Sequence, residues 1–409
     1  MGEVKVADQG QLIAKAKTCK DPIIIFGAGI VGEALAKFCA ISGIKVASVC
    51  DNNINKVGNK VAGIEVNHVS SLANTYPKAL FLITTADIMD VVSQLKELGY
   101  QNWIAAGPML RLFDLNSVEF IAPFEFVEFA VSTCVMCHDG YLNPNKIFLR
   151  SVDVIVTERC SLRCQDCSNL MQYYDNPKDC DIDEVNRSID RLCEVVDNIN
   201  EFRVIGGEPF LNKDMWQVCN GLAKQSKVRK VIIYTNGGIV PKGENLECLK
   251  HEKILVLVTD YGPLTRKSAT VIDTLKKHGI AHYVQPAQNW TQCSSIFKRN
   301  RTNDEQKSVF TRCCAKNLFT LSNGRFFRCP FIANSDRLGA IPDFNRDYVQ
   351  IMDMECDLQE IRERLYNYLY NVPYLDACDY CNGRFLDDPE VEPGIQTKKP
   401  LPYKNVRQQ

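Results

Sequence analysis

Apolar residues occur in short blocks separated by glycine turns and amphipathic stretches, a pattern that predicts strands alternating with helices along most of the chain. Pro22 to Phe26 is apolar, the turn Gly27-Ala-Gly29-Ile-Val-Gly32 follows, then the helical segment EALAKFCAISG and a second strand, IKVASVCD, with Gly43 ending the helix. A further strand, ALFLITT, precedes a helical pattern around DVVSQLKELGY, so residues 1–115 are expected to form an open α/β sheet. Residues 116–149 include VEFIAPFEFVEFAVSTCVMCHDGYLNPNK, which has no single period, and are expected to be a connector packed between domains. From Ser151 the strand SVDVIVT opens a second alternating region. Asp181 with Glu184 makes a capping-box-like helix start, and Ile182, Val185, Ile189, Leu192, Val196 and Ile199 recur at helical spacing. Strands follow at EFRVIGG, KVIIYTN, ILVLVTD and IAHYVQ, which predicts parallel strands joined by helices, a barrel or partial barrel over 150–300 with its chemistry at the strands' C-terminal ends. Residues 301–386 switch to short strands and cysteine pairs, and the Pro- and charge-rich tail 387–409 is expected to be mobile or a lid.

Composition narrows the function. The 409 residues are 45% hydrophobic, enough for two or three domains. Lysine plus arginine number 48 against 49 acids, a balance without the field that nucleic acid or an anionic membrane demands. The N-terminus lacks an apolar signal region and no stretch is long enough to span a membrane, so a cytoplasmic location is expected. There, nineteen cysteines point to metal ligation rather than to disulfides. Cys39, Cys193, Cys219 and Cys248 fall at or beside apolar helix positions and read as small core residues. Cys134-Val-Met-Cys137-His138 copies a haem-attachment pattern, but that chemistry needs an oxidising setting, which leaves two spare thiols or an adventitious ligand pair.

Cys160-Ser-Leu-Arg-Cys164-Gln-Asp-Cys167 places three thiols on a short loop after a strand. Three such thiolates can hold three irons of a [4Fe-4S] cube and leave the fourth iron open to a cofactor. Zinc competes, although it normally takes four ligands. With Gly206-Gly207-Glu208-Pro209 ending the next strand, the chain resembles the radical S-adenosylmethionine superfamily. That resemblance implies that S-adenosylmethionine chelates the open iron and that the GGEP segment contacts its amino group. It also implies that Thr235-Asn236-Gly237 and Thr259-Asp260-Tyr261-Gly262 line its ribose and carboxylate end, though each also reads as a strand-ending turn. The residue before the third cysteine, commonly aromatic in the family and near the adenine, is Asp166 here, so no adenine contact carries over.

Cys314, Cys329, Cys378 and Cys381 can close a second [4Fe-4S] cube, with structural zinc as the rival and Cys313 competing with Cys314 for first ligand. With LSNGRFFRCPF, this region resembles the twitch domain, the shortened SPASM domain that carries one auxiliary cluster.

In the N-terminal segment Gly27, Gly29 and Gly32 allow close approach of a pyrophosphate to a helix N-terminus, and Asp51, 19 residues after Gly32, can accept from a ribose hydroxyl. A tight turn without a ligand is the other reading. The segment resembles the small Rossmann-like domains appended to enzymes of surface-polysaccharide assembly, which implies a nucleotide-sugar ligand; NAD is the less expected one. The fold class is thus α/β, with an N-terminal Rossmann-like parallel sheet, a central partial (β/α)6 TIM-like barrel and a C-terminal twitch-type domain.

The resemblance implies reductive cleavage of S-adenosylmethionine to a 5'-deoxyadenosyl radical that removes hydrogen from a substrate C–H, with electrons from a flavodoxin- or ferredoxin-type donor. The expected substrate is a nucleotide-linked sugar, oxidised with the auxiliary cluster accepting an electron, or epimerised with a thiol such as Cys293 returning hydrogen. Peptide maturation is the rival enzyme reading, and a non-catalytic iron-sulfur sensor or binding protein is the reading of another class.

Overall fold

The computed structural model describes residues 8–288, 290–385 and 388–407. The expected boundary between the C-terminal domain and the tail, at 386–387, lies outside the described residues. The chain divides into two compact units, residues 1–148 and 149–409.

In the first unit the order is α1 (Gln9–Thr18), β1 (Ile23–Phe26), α2 (Ile30–Ile41), β2 (Val46–Asp51), β3 (Lys60–Val61) and β4 (Ile64–His68). Then come α3 (Leu72–Thr75), β5 (Leu80–Ile83), α4 (Ile88–Glu97), β6 (Trp103–Ala105) and α5 (Phe124–Tyr141). The six-stranded sheet has the order β3-β4-β2-β1-β5-β6 and is parallel except for β3. Successive residues of β1 serve opposite cores. Ile23 and Ile25 pack with Leu35 and Phe38 of α2, and Ile24 and Phe26 pack with Val91, Val92 and Leu95 of α4. Burial on both faces is why these strands read as unbroken apolar runs. Within residues 116–149, expected to be an aperiodic connector, Phe124–Tyr141 form a continuous helix, α5, whose Val127, Val131 and Val135 join the α2-side core. Its buried face also carries Thr133, Cys134, Cys137 and His138, and these polar and soft side chains blur the apolar period.

The second unit begins with β7 (Phe148–Thr157), α6 (Ile182–Val195), β8 (Asn198–Gly206), α7 (Met215–Lys224), β9 (Val228–Thr235) and α8 (Glu244–Glu247). It continues through β10 (Ile254–Asp260), α9 (Ser268–Lys277), β11 (His282–Pro286), β12 (Trp290–Thr291) and α10 (Asn303–Arg312). The remainder is β13 (Phe319–Ser322), β14 (Arg325–Phe327), α11 (Pro330–Leu338), β15 (Tyr348–Gln350), α12 (Leu358–Tyr370) and β16 (Glu390–Val391). One sheet runs β11-β10-β9-β8-β7-β13-β14-β15. β8 to β11 are mutually parallel, and β13 lies parallel to β7, with Phe319 opposite Val152 and Leu321 opposite Val154. Asp181 caps α6 by accepting from the Glu184 amide at 3.0 Å. That helix stops at Val195, so Ile199, spaced as a helix residue, is the second residue of β8.

Alternation along the strands prepares the site. Val152, Val154, Val156, Phe202, Val204, Val231 and Ile233 are fully buried on one face. The other face carries Asp153, Arg203, Ile205 and Tyr234 into a cavity of about 280 Å³. No helix among the described residues is long and apolar enough to cross a membrane.

Candidate cluster and cofactor site

The loop after β7 brings Cys160, Cys164 and Cys167 to this cavity together with Gly206, Gly207, Thr235, Asn236, Tyr261 and Trp290. Close approach explains the glycine pair: a Cβ on Gly207 would lie 2.2 Å from the Arg159 carbonyl oxygen and 2.8 Å from the Cβ of Cys160. The Gly207 amide donates to the Thr157 carbonyl at 2.9 Å, and that of Glu208 to the Arg159 carbonyl at 2.8 Å, so the end of β8 is fastened to the cysteine loop.

The Glu208 carboxylate is fully buried. It accepts from the Thr235 hydroxyl at 2.8 and 3.0 Å, the Asn236 amide at 2.9 Å and the Phe210 amide at 3.3 Å. Burial pushes it up to about 7 against the opposing pull of these donors. Glu208 therefore braces the Thr235-Asn236 turn, while Gly206 and Gly207 face the cavity. Pro209 starts the short 3-10 turn that follows and is buried. Asp260, at the end of β10, accepts from the Gly262 amide at 2.9 Å and the Thr265 hydroxyl at 3.3 Å, so it closes its own turn. Its neighbours Thr259 and Tyr261 line the cavity.

Donors point at each of the three sulfurs. Cys160 Sγ accepts from the Leu162 amide at 3.4 Å and from Asn236 Nδ2 at 3.6 Å, while Gln396 Nε2 donates to Cys164 Sγ at 3.2 Å. The backbone around Met171, Asn169 and Leu170 donates to Cys167. Burial raises all three thiols, and these donors oppose it by favouring the thiolate, the form that binds iron. Among the described residues no three Cys, His, Asp or Glu side chains surround a single ion position.

The Radical SAM superfamily model matches residues 154–323, which contain β7 to β13 and all three cysteines. These residues form a radical SAM domain. Similar proteins include the GTP 3',8-cyclase of Stenotrophomonas maltophilia (strain R551-3), 32% identical over 88 residues, 21% of this chain and 26% of that one. Another is the GTP 3',8-cyclase of Clostridium acetobutylicum (strain ATCC 824), 33% identical over 100 residues, 23% of this chain and 30% of that one. The chain thus spans between about a quarter and a third of the length of these relatives. A solved structure, BtrN in complex with AdoMet and 2-DOIA, superposes with a TM-score of 0.39 at 15% identity, covering 57% of this chain and 93% of that one.

Cys329, Cys378 and Cys381 form a second group of thiols, with Cys313 beside them. Burial first, and then proximity to Cys381 for Cys329 and Cys378 and to Cys313 for Cys381, raises these three thiols. Cys314 is exposed, and its amide donates to the Arg384 carbonyl at 2.8 Å. Cys313, at the C-terminus of α10, is the member of that adjacent pair that acts on Cys329, Cys378 and Cys381. Cys329 sits at the N-terminus of α11, where the Ile332 amide supports its thiolate. Arg301 fixes the other pair by donating to the carbonyls of Cys378 at 2.6 Å and Cys381 at 2.7 Å. Cys293 lies between the groups: burial pushes its thiol up to about 11, Arg384 opposes this, and Cys167, Cys381 and Cys313 are its other charged neighbours.

In the first unit, Gly27 has φ +114° and a Cβ on Gly32 would lie 1.8 Å from the Gly27 carbonyl oxygen, so both are required by the turn. Gly29 has open space around it and begins α2. Asp51 accepts from the Ala28 and Asn53 amides at 2.9 Å each and pairs with Lys56 at 2.9 Å. Burial raises this carboxyl, and these partners more than reverse the effect. In the haem-like motif His138 Nδ1 accepts from the Gly107 amide at 2.9 Å and Nε2 lies 2.9 Å from the Thr85 carbonyl, so both ring nitrogens are engaged. Cys39, Cys193, Cys219 and Cys248 are all buried.

Spacing did not reveal Asp153, Arg203, Tyr234, Trp290, Arg384 or Gln396. The first three carried a readable signal, polar residues at the alternate positions of apolar strands.

Proposed function

We propose that the chain is a radical SAM enzyme that oxidises or epimerises a nucleotide-linked sugar, with Cys160, Cys164 and Cys167 holding a [4Fe-4S] cluster. The observation that carries this reading is the single cavity that joins those thiols to Gly206, Gly207, Thr235 and Asn236. When bound, the cluster and S-adenosylmethionine supply a 5'-deoxyadenosyl radical, which takes hydrogen from an unactivated C–H bond. The protein's part is to position and to exclude water. The backbone at Gly206 and Gly207 lets a ligand lie against the strand end, Thr235 and Asn236 are held by Glu208, and Tyr234, Tyr261 and Trp290 wall the cavity.

Arg203 and Asp153 form a buried ion pair on the same wall, giving the substrate pocket a polar floor. In an epimerisation Cys293, which has Cys167 among its neighbours, returns the hydrogen atom. Cys313, Cys329, Cys378 and Cys381 suit a fully ligated auxiliary [4Fe-4S] cluster that accepts an electron in an oxidation. The Gly27-to-Gly32 turn with Asp51 supports a nucleotide-binding, Rossmann-like first unit. The two GTP 3',8-cyclases favour a second reading, in which a purine nucleotide itself is the substrate.

The test is anaerobic incubation of the reconstituted chain with S-adenosylmethionine, a strong reductant, and in parallel a panel of nucleotide-sugars, GTP and a candidate peptide. A nucleotide-sugar that raises 5'-deoxyadenosine and changes mass or configuration supports the proposal. Turnover of GTP or peptide alone replaces the substrate, and absence of 5'-deoxyadenosine from iron-loaded protein leaves the sensor or binding role.

A further inference from the structure

The C-terminal segment, expected to be mobile or a lid, is fastened along the active-site edge. β16 pairs antiparallel with β12, placing Val391 opposite Trp290 of the cavity wall. The chain then turns at Gly394, where a Cβ would lie 2.9 Å from Leu264 and 3.1 Å from the Tyr261 ring. It next forms an antiparallel bridge with the cysteine loop, Cys164 opposite Gln396. The Gln165 amide donates to the Ile395 carbonyl at 2.7 Å and the Thr397 amide to the Arg163 carbonyl at 2.8 Å. Farther on, the Leu401 amide donates to the Gln172 carbonyl at 2.8 Å, Tyr403 packs edge-on against Tyr173, and the Val406 amide donates to the Gly339 carbonyl at 2.9 Å.

Gln396 stands at the centre of this clamp. Its Oε1 accepts from the Arg163 amide at 2.6 Å, and its Nε2 donates to the Gly394 carbonyl at 2.7 Å and to Cys164 Sγ at 3.2 Å. Because an N–H faces the oxygen, the amide can lie only one way round, and its nitrogen must face the sulfur. The donors to Cys167 are backbone groups of the loop itself, whereas Gln396 reaches Cys164 from 232 residues away. A hydrogen bond to a ligating sulfur draws electron density from it, which stabilises the reduced cluster more than the oxidised one.

We propose that Gln396 is a positioning residue that raises the reduction potential of the cluster held by Cys160, Cys164 and Cys167, through its Nε2–H···Sγ bond to Cys164. This rests on the assignment of those three thiols to that cluster. The step concerned is a one-electron reduction, the electron coming from dithionite or a low-potential protein donor.

The test is an EPR-monitored redox titration of the full-length, anaerobically reconstituted chain, following the reduced-cluster signal that changes when S-adenosylmethionine is added. Gln396→Leu and Gln396→Met both remove the donor to Cys164 without placing a charge beside the cluster. Both are expected to shift the midpoint to more negative potential, and Thr397→Val, which keeps the backbone bridge, to stay at the wild-type value. Equal midpoints for wild type and the iron-loaded Gln396 variants overturn the proposal; should Gln396→Leu lose its iron, Gln396→Met decides alone, and Gln396→Ala replaces it if it too is empty. A wild-type chain without a responsive signal overturns the cluster assignment itself, an outcome distinct from failure of the hydrogen bond.

Discussion

At position 207 a Cβ would lie 2.2 Å from the Arg159 carbonyl oxygen, so any residue but glycine forces the cysteine loop away from the end of β8. Gly207→Ala is therefore expected to lose most of the iron of the first cluster while the far-UV circular dichroism stays close to wild type; iron analysis of the purified variant is the check. A second residue-level consequence concerns His138, whose burial lowers it from 6.5 to about 4. A histidine depressed on folding contributes stability that is complete above its unfolded value, and that stability is lost as pH falls from about 6.5 towards about 4. The loss is expected to approach 3 kcal/mol in order of magnitude, about 1.4 kcal/mol per unit. His138→Gln, which offers one donor and one acceptor, flattens that pH dependence in denaturant titrations between pH 7 and 4.5. The cysteine triplet was legible from its spacing because three thiols on one loop have few other uses. His138 was not, since its partners are backbone groups of Gly107 and Thr85, which no side-chain pattern announces.

Strands β8 to β11 were legible as elements because each is a compact apolar block closed by a turn, and parallel neighbours follow from the intervening helices. What the blocks concealed was their polar face. Arg203 of β8 and Asp153 of β7 are paired in the interior, and removing one partner leaves a buried charge uncompensated. Arg203→Ala is expected to destabilise the second unit by about 3–5 kcal/mol in chemical denaturation, and Asp153→Leu with Arg203→Met to recover most of it. The hairpin in LSNGRFF was also readable, since Asn323 and Gly324 both adopt positive φ between β13 and β14. Its parallel attachment to β7 was not, because strand partners far apart in sequence leave no local trace. The same holds for the tail, whose Pro- and charge-rich composition reads as solvated although Ile395 and Thr397 pair with the cysteine loop through their backbone. Helix α6 shows the converse limit: Val196 and Ile199 keep helical spacing past the point where the chain becomes β8.

Across the whole molecule, seven thiols fall into a group of three and a group of four with Cys293 beside both. Two cubes imply about eight irons per chain. Cys313→Ser is expected to lower that to about four while Cys314→Ser leaves it unchanged, as read by iron and sulfide analysis after anaerobic reconstitution. The most direct test of the radical SAM assignment is 5'-deoxyadenosine, measured by mass spectrometry after anaerobic incubation of the iron-loaded chain with S-adenosylmethionine and dithionite. The expected result is 5'-deoxyadenosine from the wild type and none from Cys164→Ala. Equal yields from the two proteins, or none from a wild type that carries its iron, contradict it.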